Sequence, residues 1–238
     1  MNEQQLYNLQ YRAGGLPSQK ASYPWLRRLF EHSTCHRDDL VMSLAANGKN
    51  FLDVGCGSGE LIFKISNRFE RLWGVDVAAV RIEQAREKAK LLPQAQKYSF
   101  LLCQPGAPLP LPNNFFDCVT CMATLEHVFD PYQLVAEMRR VLRPGGMLII
   151  QVPNIAYVRY RLCLLLGRLP ATSAASDWCT YGWDGGHLHY FTQKTLRLLL
   201  SQSGFADFKF TGSGLFAGWR NWWPSLLTGD ICVRCIKE

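Results

Sequence analysis

The sequence predicts an α/β architecture: one open, mostly parallel sheet with helices on both faces. Three observations carry this. The first is the run Phe51-Leu52-Asp53-Val54-Gly55-Cys56-Gly57-Ser58-Gly59-Glu60-Leu61, an apolar strand that passes through three glycines at every second position into a helix. The second is recurrence: short apolar runs at 72–76, 98–103, 115–122 and 147–152 alternate with helix-period segments, as βα units require. The third is size and composition, since 238 residues, 48% hydrophobic and 19% charged, suit one globular domain with additions.

Taken in order, residues 1–22 are polar, without a clear period, and read as a tail. Residues 23–46 have helical spacing, with Trp25, Leu26, Leu29 and Phe30 on one face and Leu40, Val41 and Leu44 on another. The expected division is therefore 1–46, tail and cap helices, and 47–238, the α/β domain. Asn47-Gly48 is a turn into the strand at 51–54, and Ile62, Ile65 and Phe69 are spaced for the buried face of the helix that follows. The strand at 72–76 closes on Asp76, ahead of a strongly helical stretch at 78–91. The strand at 98–103 runs into a proline-rich loop that starts at Gln104, and the strand at 115–122 into Ala123-Thr124-Leu125-Glu126-His127-Val128.

Asp130-Pro131 opens a helix with an N-cap acid and a proline at the first helical position. Leu134, Met138, Val141 and Leu142 form its buried face, and Arg143-Pro144-Gly145-Gly146 turns the chain into the strand at 147–152. Residues 153–190 are expected to form a lid over a substrate pocket, with a short apolar helix at 157–168 that carries Arg159, Arg161 and Arg168. Thr192 caps and Gly204 stops a last helix, and 205–211 and 231–236 make an antiparallel pair that closes the sheet.

Composition excludes some functions. The net charge is +7, yet there is no basic run of five residues, so no nucleic-acid partner is expected. No stretch is long and apolar enough to span a bilayer, and Met1–Gln5 lacks a signal-peptide pattern. Nine scattered cysteines, several inside strands, read as reduced thiols in a cytoplasmic protein. The short apolar helix leaves open a peripheral membrane contact. The group Phe216, Trp219, Trp222, Trp223 and Leu226 could be core, homodimer surface or interfacial anchor. No metal is expected: His32 and His36 lack completing ligands, and the pairs Cys118/Cys121 and Cys232/Cys235 would point to opposite faces of their strands.

The glycine run carries the chemistry. Glycine lets a backbone turn sharply and lets a ligand approach closely, and in open α/β sheets ligands bind outside the carboxyl ends of strands. A dinucleotide motif would place glycine where this chain has Glu60, and a carboxylate there would repel a pyrophosphate. It suits a ligand with no phosphate and a positive charge, such as S-adenosyl-L-methionine. Asp76, closing the second strand, offers two oxygens to a pair of ribose hydroxyls. Alternation would put His187 and His189 on one side of an extended segment, where either could be a general base or simply shape the loop.

From Phe51 to Phe205 the chain resembles the class I S-adenosylmethionine-dependent methyltransferases. The resemblance rests on Asp53-x-Gly55-x-Gly57-x-Gly59, Asp76, the Phe116-Asp117 strand and the Pro144-Gly145-Gly146 turn. The segments around Val152-Pro153-Asn154, 161–168 and His187/His189 are similar to the MetW-like, type 11 or 23, branch and to enzymes of bacterial glycan and lipid biosynthesis. The resemblance implies a Rossmann-like seven-stranded sheet of order 3-2-1-4-5-7-6, strand seven antiparallel. It implies that Asp53, Gly55, Cys56, Gly57 and Gly59 hold the amino-acid end of the cofactor. It further implies that Asp76 holds the ribose, and that Val77, Gln104 and Leu125 border the adenine or methionyl chain. His127, His187 or His189 would serve as base. The expected acceptor is a small molecule, a glycan or a lipid-linked compound, methylated on oxygen or nitrogen. A regulatory or scaffolding partner without turnover is the alternative. The family's usual acid after the third strand is missing here, with Gln104 nearest in place, and the Asn-Pro-Pro-aromatic signature of nucleic-acid amino methylation is absent.

Overall fold

The structure, a computed structural model, describes residues 34–172 and 186–238. The expected tail, the face formed by Trp25, Leu26, Leu29 and Phe30, and His32 lie outside the described residues. The elements follow as β1 (Thr34–Cys35), α1 (Arg37–Leu44), β2 (Gly48–Val54), α2 (Glu60–Lys64), β3 (Phe69–Asp76), α3 (Ala79–Lys90) and β4 (Tyr98–Leu102). After these come β5 (Phe116–Met122), α4 (Pro131–Val141), β6 (Leu142–Pro153), α5 (Val158–Leu165), α6 (Gln193–Gln202) and β7 (Phe205–Thr211). The last are β8 (Gly214–Leu215), α7 (Ala217–Arg220), α8 (Pro224–Leu227) and β9 (Asp230–Lys237).

Seven strands form one sheet in the order β4-β3-β2-β5-β6-β9-β7, and β9 runs antiparallel to both neighbours. This is the expected 3-2-1-4-5-7-6 topology. Strand alternation splits the core in two. Phe51, Cys118 and Ile149 face α1, α2 and α3, where Val41, Ile62, Ile82 and Ala85 are buried. Leu52, Val119, Leu148 and Ile150 face α4 and α6, where Val135, Met138, Leu196 and Leu200 are buried. The cysteine pairs obey the same rule: Cys118 and Cys232 lie in the first cluster, Cys121 and Cys235 in the second.

The helix ends follow local chemistry. Asp130 Oδ1 accepts a hydrogen bond from Gln133 N at 3.0 Å, and Pro131 begins α4. Thr192 and Thr195 exchange bonds as a capping box on α6. Two expectations shift. The helix after the glycine run is only five residues, followed by a 3-10 turn at Ser66–Arg68, so Phe69 opens β3 instead of closing a helix. Arg68 Nη1 donates to Ala45 O at 2.8 Å and pins that turn to the end of α1. The Pro144-Gly145-Gly146 turn lies inside β6 as a bulge: the register jumps from Phe116 opposite Leu142 to Cys118 opposite Met147.

Of the expected lid at 153–190, residues 173–185 lie outside the described residues; none of residues 153–172 lines the cleft at the sheet's edge, and α5 has no buried residue. Among the described residues, no helix is long and apolar enough to cross a membrane.

Candidate active site

A cleft of about 410 Å³ opens at the carboxyl ends of β2, β3 and β5. Its floor is the glycine loop. Gly55 (φ 78°), Gly57 (φ 53°) and Gly59 (φ 84°) all sit in the left-handed region that L side chains avoid. Gly55 N and Cys56 N both donate to Val75 O, at 2.8 and 3.1 Å, which docks the loop on the end of β3.

Asp76 ties this loop to the next turn. Its Oδ2 accepts from Gly57 N at 2.9 Å and its Oδ1 from Ala78 N at 2.8 Å. Both readings of Asp76 therefore hold in part: it shapes the start of α3, and it lines the cleft. Each carboxylate oxygen keeps a further lone pair for a ligand hydroxyl. Burial raises its pKa, against the pull of these backbone donors.

The glycines differ in what they protect. A Cβ on Gly55 would lie 2.1 Å from Thr124 Oγ1, inside the protein, whereas a Cβ on Gly57 would meet nothing within 4 Å. Gly57→Ala should thus cost only about 1–2 kcal/mol of stability for its backbone angle while intruding on the ligand's space. Gly55→Ala should cost more stability because Thr124 must move. Thermal melts with and without ligand check this: a ligand-induced shift in Tm kept in Gly57→Ala would contradict it.

The structure moves three expected ligand contacts off the wall. Asp53 is buried beneath the loop, its Oδ1 accepting from Thr120 Oγ1 at 2.7 Å, and does not border the cleft. Burial pushes its pKa up to about 7. Leu125 is fully buried in the core beside Val135 and Val152. Gly59 also lies behind the surface, since a Cβ there would press on Phe63 and Phe100. Gly55, Cys56, Gly57, Val77 and Gln104 line the cleft as expected. Burial raises the Cys56 thiol well above its ordinary value, so it is an inert wall atom.

Glu60 lines the cleft too, but its charge is locally answered. Its Oε1 accepts from Ser58 Oγ at 2.7 Å and from Lys88 Nζ at 2.9 Å. Burial pushes its pKa up, and the bonds from Lys88 and Ser58 outweigh that and hold it low. The Gln104 loop is clamped by α4: Gln133 Nε2 donates to Gly106 O at 2.8 Å, and Glu137 Oε2 accepts from Leu109 N at 2.7 Å.

The opposite wall follows β5. Ala123 adopts φ 51°, a strained value for alanine, and so re-aims Thr124 and His127 toward the cleft. His127 Nδ1 donates to Gly186 O, and its ring lies 4.8 Å from that of His187. His187 Nδ1 bonds Thr172 Oγ1 at 2.7 Å. Leu188 N and His189 N both donate to Glu126 O, so this segment is bent, not extended. The expected alternation fails for that reason: His187 joins His127, while His189 Nε2 donates to Phe129 O at 3.2 Å. Glu126 is 1% exposed and burial raises its pKa to about 7.

The family described as "Methyltransferase domain" matches residues 52–150, from the glycine loop through Asp76 and His127 to β6. Over these residues the chain is similar to methyltransferase domains. A ubiquinone biosynthesis O-methyltransferase of Coxiella burnetii is 32% identical over 121 residues, covering 51% of this chain and 50% of that protein. The ubiquinone/menaquinone biosynthesis C-methyltransferase UbiE of Cronobacter sakazakii is 28% identical over 196 residues, 75% of each. The chain spans about a third to a half of the length of the first curated relatives it matches. In fold, a methyltransferase from Thermotoga maritima superposes with a TM-score of 0.62 at 18% identity, covering 90% of this chain and 92% of that one.

The cofactor of class I methyltransferases is S-adenosylmethionine, and the residues around this cleft fit it. The volume suits a nucleoside-sized ligand. The space above Gly57 admits close backbone approach. The wall carries both signs of charge, Asp76 and Glu60 with Arg37 and Arg81, as a zwitterionic sulfonium requires. Sequence reasoning missed Arg37, Thr124 and Glu126. Arg37 falls at the start of a short helix with no motif around it, and Glu126 matters only through contacts with residues some sixty positions away.

Proposed function

We propose that this chain transfers a methyl group from S-adenosylmethionine to an oxygen or nitrogen of a small-molecule, glycan or lipid-linked acceptor. The observation that carries the reading is the cleft itself: the glycine loop and Asp76 on one wall, His127 on the other. The bound sulfonium supplies an already activated methyl group. What the protein must add is alignment and exclusion of water. Asp76 and Gly57 fix the ribose side, the Gln104 loop borders the base, and Arg37 faces the carboxylate of the amino-acid end. Asp53 acts from below, through Thr120 and the set of β2 against β5. His127 stands on the acceptor side as the residue able to take a proton from an acceptor hydroxyl.

The ubiquinone names of two relatives favour an apolar, ring-bearing acceptor, and so does the cleft rim of Val128, Phe129 and Leu134. The test is calorimetry with S-adenosylmethionine, then incubation of enzyme and cofactor with lipid and polar cell extracts, seeking a product heavier by one methyl group. Absence of cofactor binding sinks the reading. Binding without turnover on any extract turns it toward the regulatory or scaffolding role.

Peripheral membrane contact belongs to the same reading. Leu162, Leu164, Leu165, Leu166 and Leu169 are all exposed, flanked by Arg159, Arg161 and Arg168, and Trp219, Trp222 and Trp223 are exposed as well. Apolar side chains beside arginines suit a surface of anionic lipid. Co-sedimentation with phosphatidylglycerol vesicles should fall several-fold in Leu165→Glu; equal sedimentation of the two proteins would rule this face out.

A further inference from the structure

We propose that Glu126, His127 and His187 form a site for one divalent transition-metal ion, with zinc as the best match. One ligand atom from each residue lies within 4.8 Å of the other two. Two imidazoles and a carboxylate are a donor set that borderline cations prefer over magnesium or calcium. A tetrahedral zinc with bonds of about 2 Å separates its ligand atoms by roughly 3.3 Å. The three groups must therefore close by little more than an ångström.

Three features point to an ion over a chance gathering. Glu126 Oε2 is buried and has no hydrogen-bond partner among the described residues. A buried carboxylate oxygen left unpaired is costly, and a cation resolves it. Both histidines have Nδ1 held from outside, His127 by Gly186 O and His187 by Thr172 Oγ1. An outer partner that holds one ring nitrogen is a common way to orient a metal-binding imidazole. Finally, the backbone already brings the third ligand in, because Leu188 N and His189 N both bond the carbonyl of Glu126.

Three protein ligands leave a fourth position open, as in catalytic zinc sites. His127 also lines the cleft, so the ion sits at its margin. Its role there rests on the methyl-transfer reading and, with the ion bound, replaces His127 as base: an acceptor hydroxyl in the open position binds through oxygen and releases its proton to water more readily. No electron changes hands. The site itself does not depend on that reading.

The experiment is titration of the chelator-treated full chain with Co²⁺ as a spectroscopic probe, followed by displacement with Zn²⁺. One Co²⁺ per chain is expected, with visible bands of tetrahedral nitrogen and oxygen ligation and no thiolate charge-transfer band. Affinity should drop ~100-fold or more in both His187→Ala and Glu126→Gln, beyond the loss seen when only an outer partner is removed. Binding of S-adenosylmethionine to the metal-free variants reports their folding, since neither residue lines the cleft. Absence of saturable Co²⁺ uptake overturns the site, as does a thiolate band or uptake retained in both variants. Cofactor binding with no metal uptake would remove the site and leave the methyltransferase. Metal uptake with no cofactor binding would do the reverse.

Discussion

Asp76→Ala is expected to weaken S-adenosylmethionine binding by ~100-fold or more. A hydrogen bond to a charged acceptor contributes about 1.5–3 kcal/mol, and two ribose hydroxyls would lose theirs together. The substitution also strips Gly57 N and Ala78 N of their acceptor, so the glycine loop loosens as the ribose contact goes. Calorimetry measures the affinity, and a thermal melt of the free protein separates loop loosening from global unfolding. An affinity within a few-fold of the parent would refute the ribose role and leave Asp76 as a turn-forming residue alone.

Asp53→Asn is expected to stabilise the protein at pH 8. The folded pKa of Asp53 is raised to about 7 by burial, while an unfolded aspartate titrates near 3.8. The folded chain thus binds the proton more tightly than the unfolded chain. The stability this provides is complete below about pH 4 and is lost as pH rises to about 7, after which it stays lost. Glu126 adds a loss of the same sign over the same window. For Asp53 the difference between the two states corresponds to about 4 kcal/mol as an upper bound. Asparagine keeps an oxygen to accept from Thr120 and carries no charge to bury. The variant should gain on the order of 2 kcal/mol over the parent at pH 8, and little or nothing at pH 4. Chemical denaturation at both pH values checks this; equal stability at pH 8 would mean that the buried carboxylate is relieved by a partner.

Much of this was legible in the residues. The βα alternation placed the five parallel strands, and Thr192 and Asp130 marked helix starts that the structure satisfies with real bonds. The glycine spacing and Asp76 located the cofactor wall, because turns and strand ends are decided by neighbours a few positions apart. What was hidden depends on distance along the chain. Asp53 sits in the motif but faces Thr120, a contact set by which strand lies beside β2. Leu125 follows β5 but turns into the core because Ala123 adopts a positive φ, which alanine does not advertise. His187 and His189 part company because one carbonyl, that of Glu126, accepts from two successive amides and bends the segment.

The place of β9 between β6 and β7 has a consequence for synthesis on the ribosome. β7 emerges before β9 and has no bonded neighbour in the seven-stranded sheet other than β9. Until β9 leaves the exit tunnel, the side of β6 that it covers, Leu148 to Val152, stays unpaired and open to other nascent chains. Completion of the sheet is thus a late, long-range event, and the emerging polypeptide is most open to aggregation and chaperone capture in the interval between those two strands.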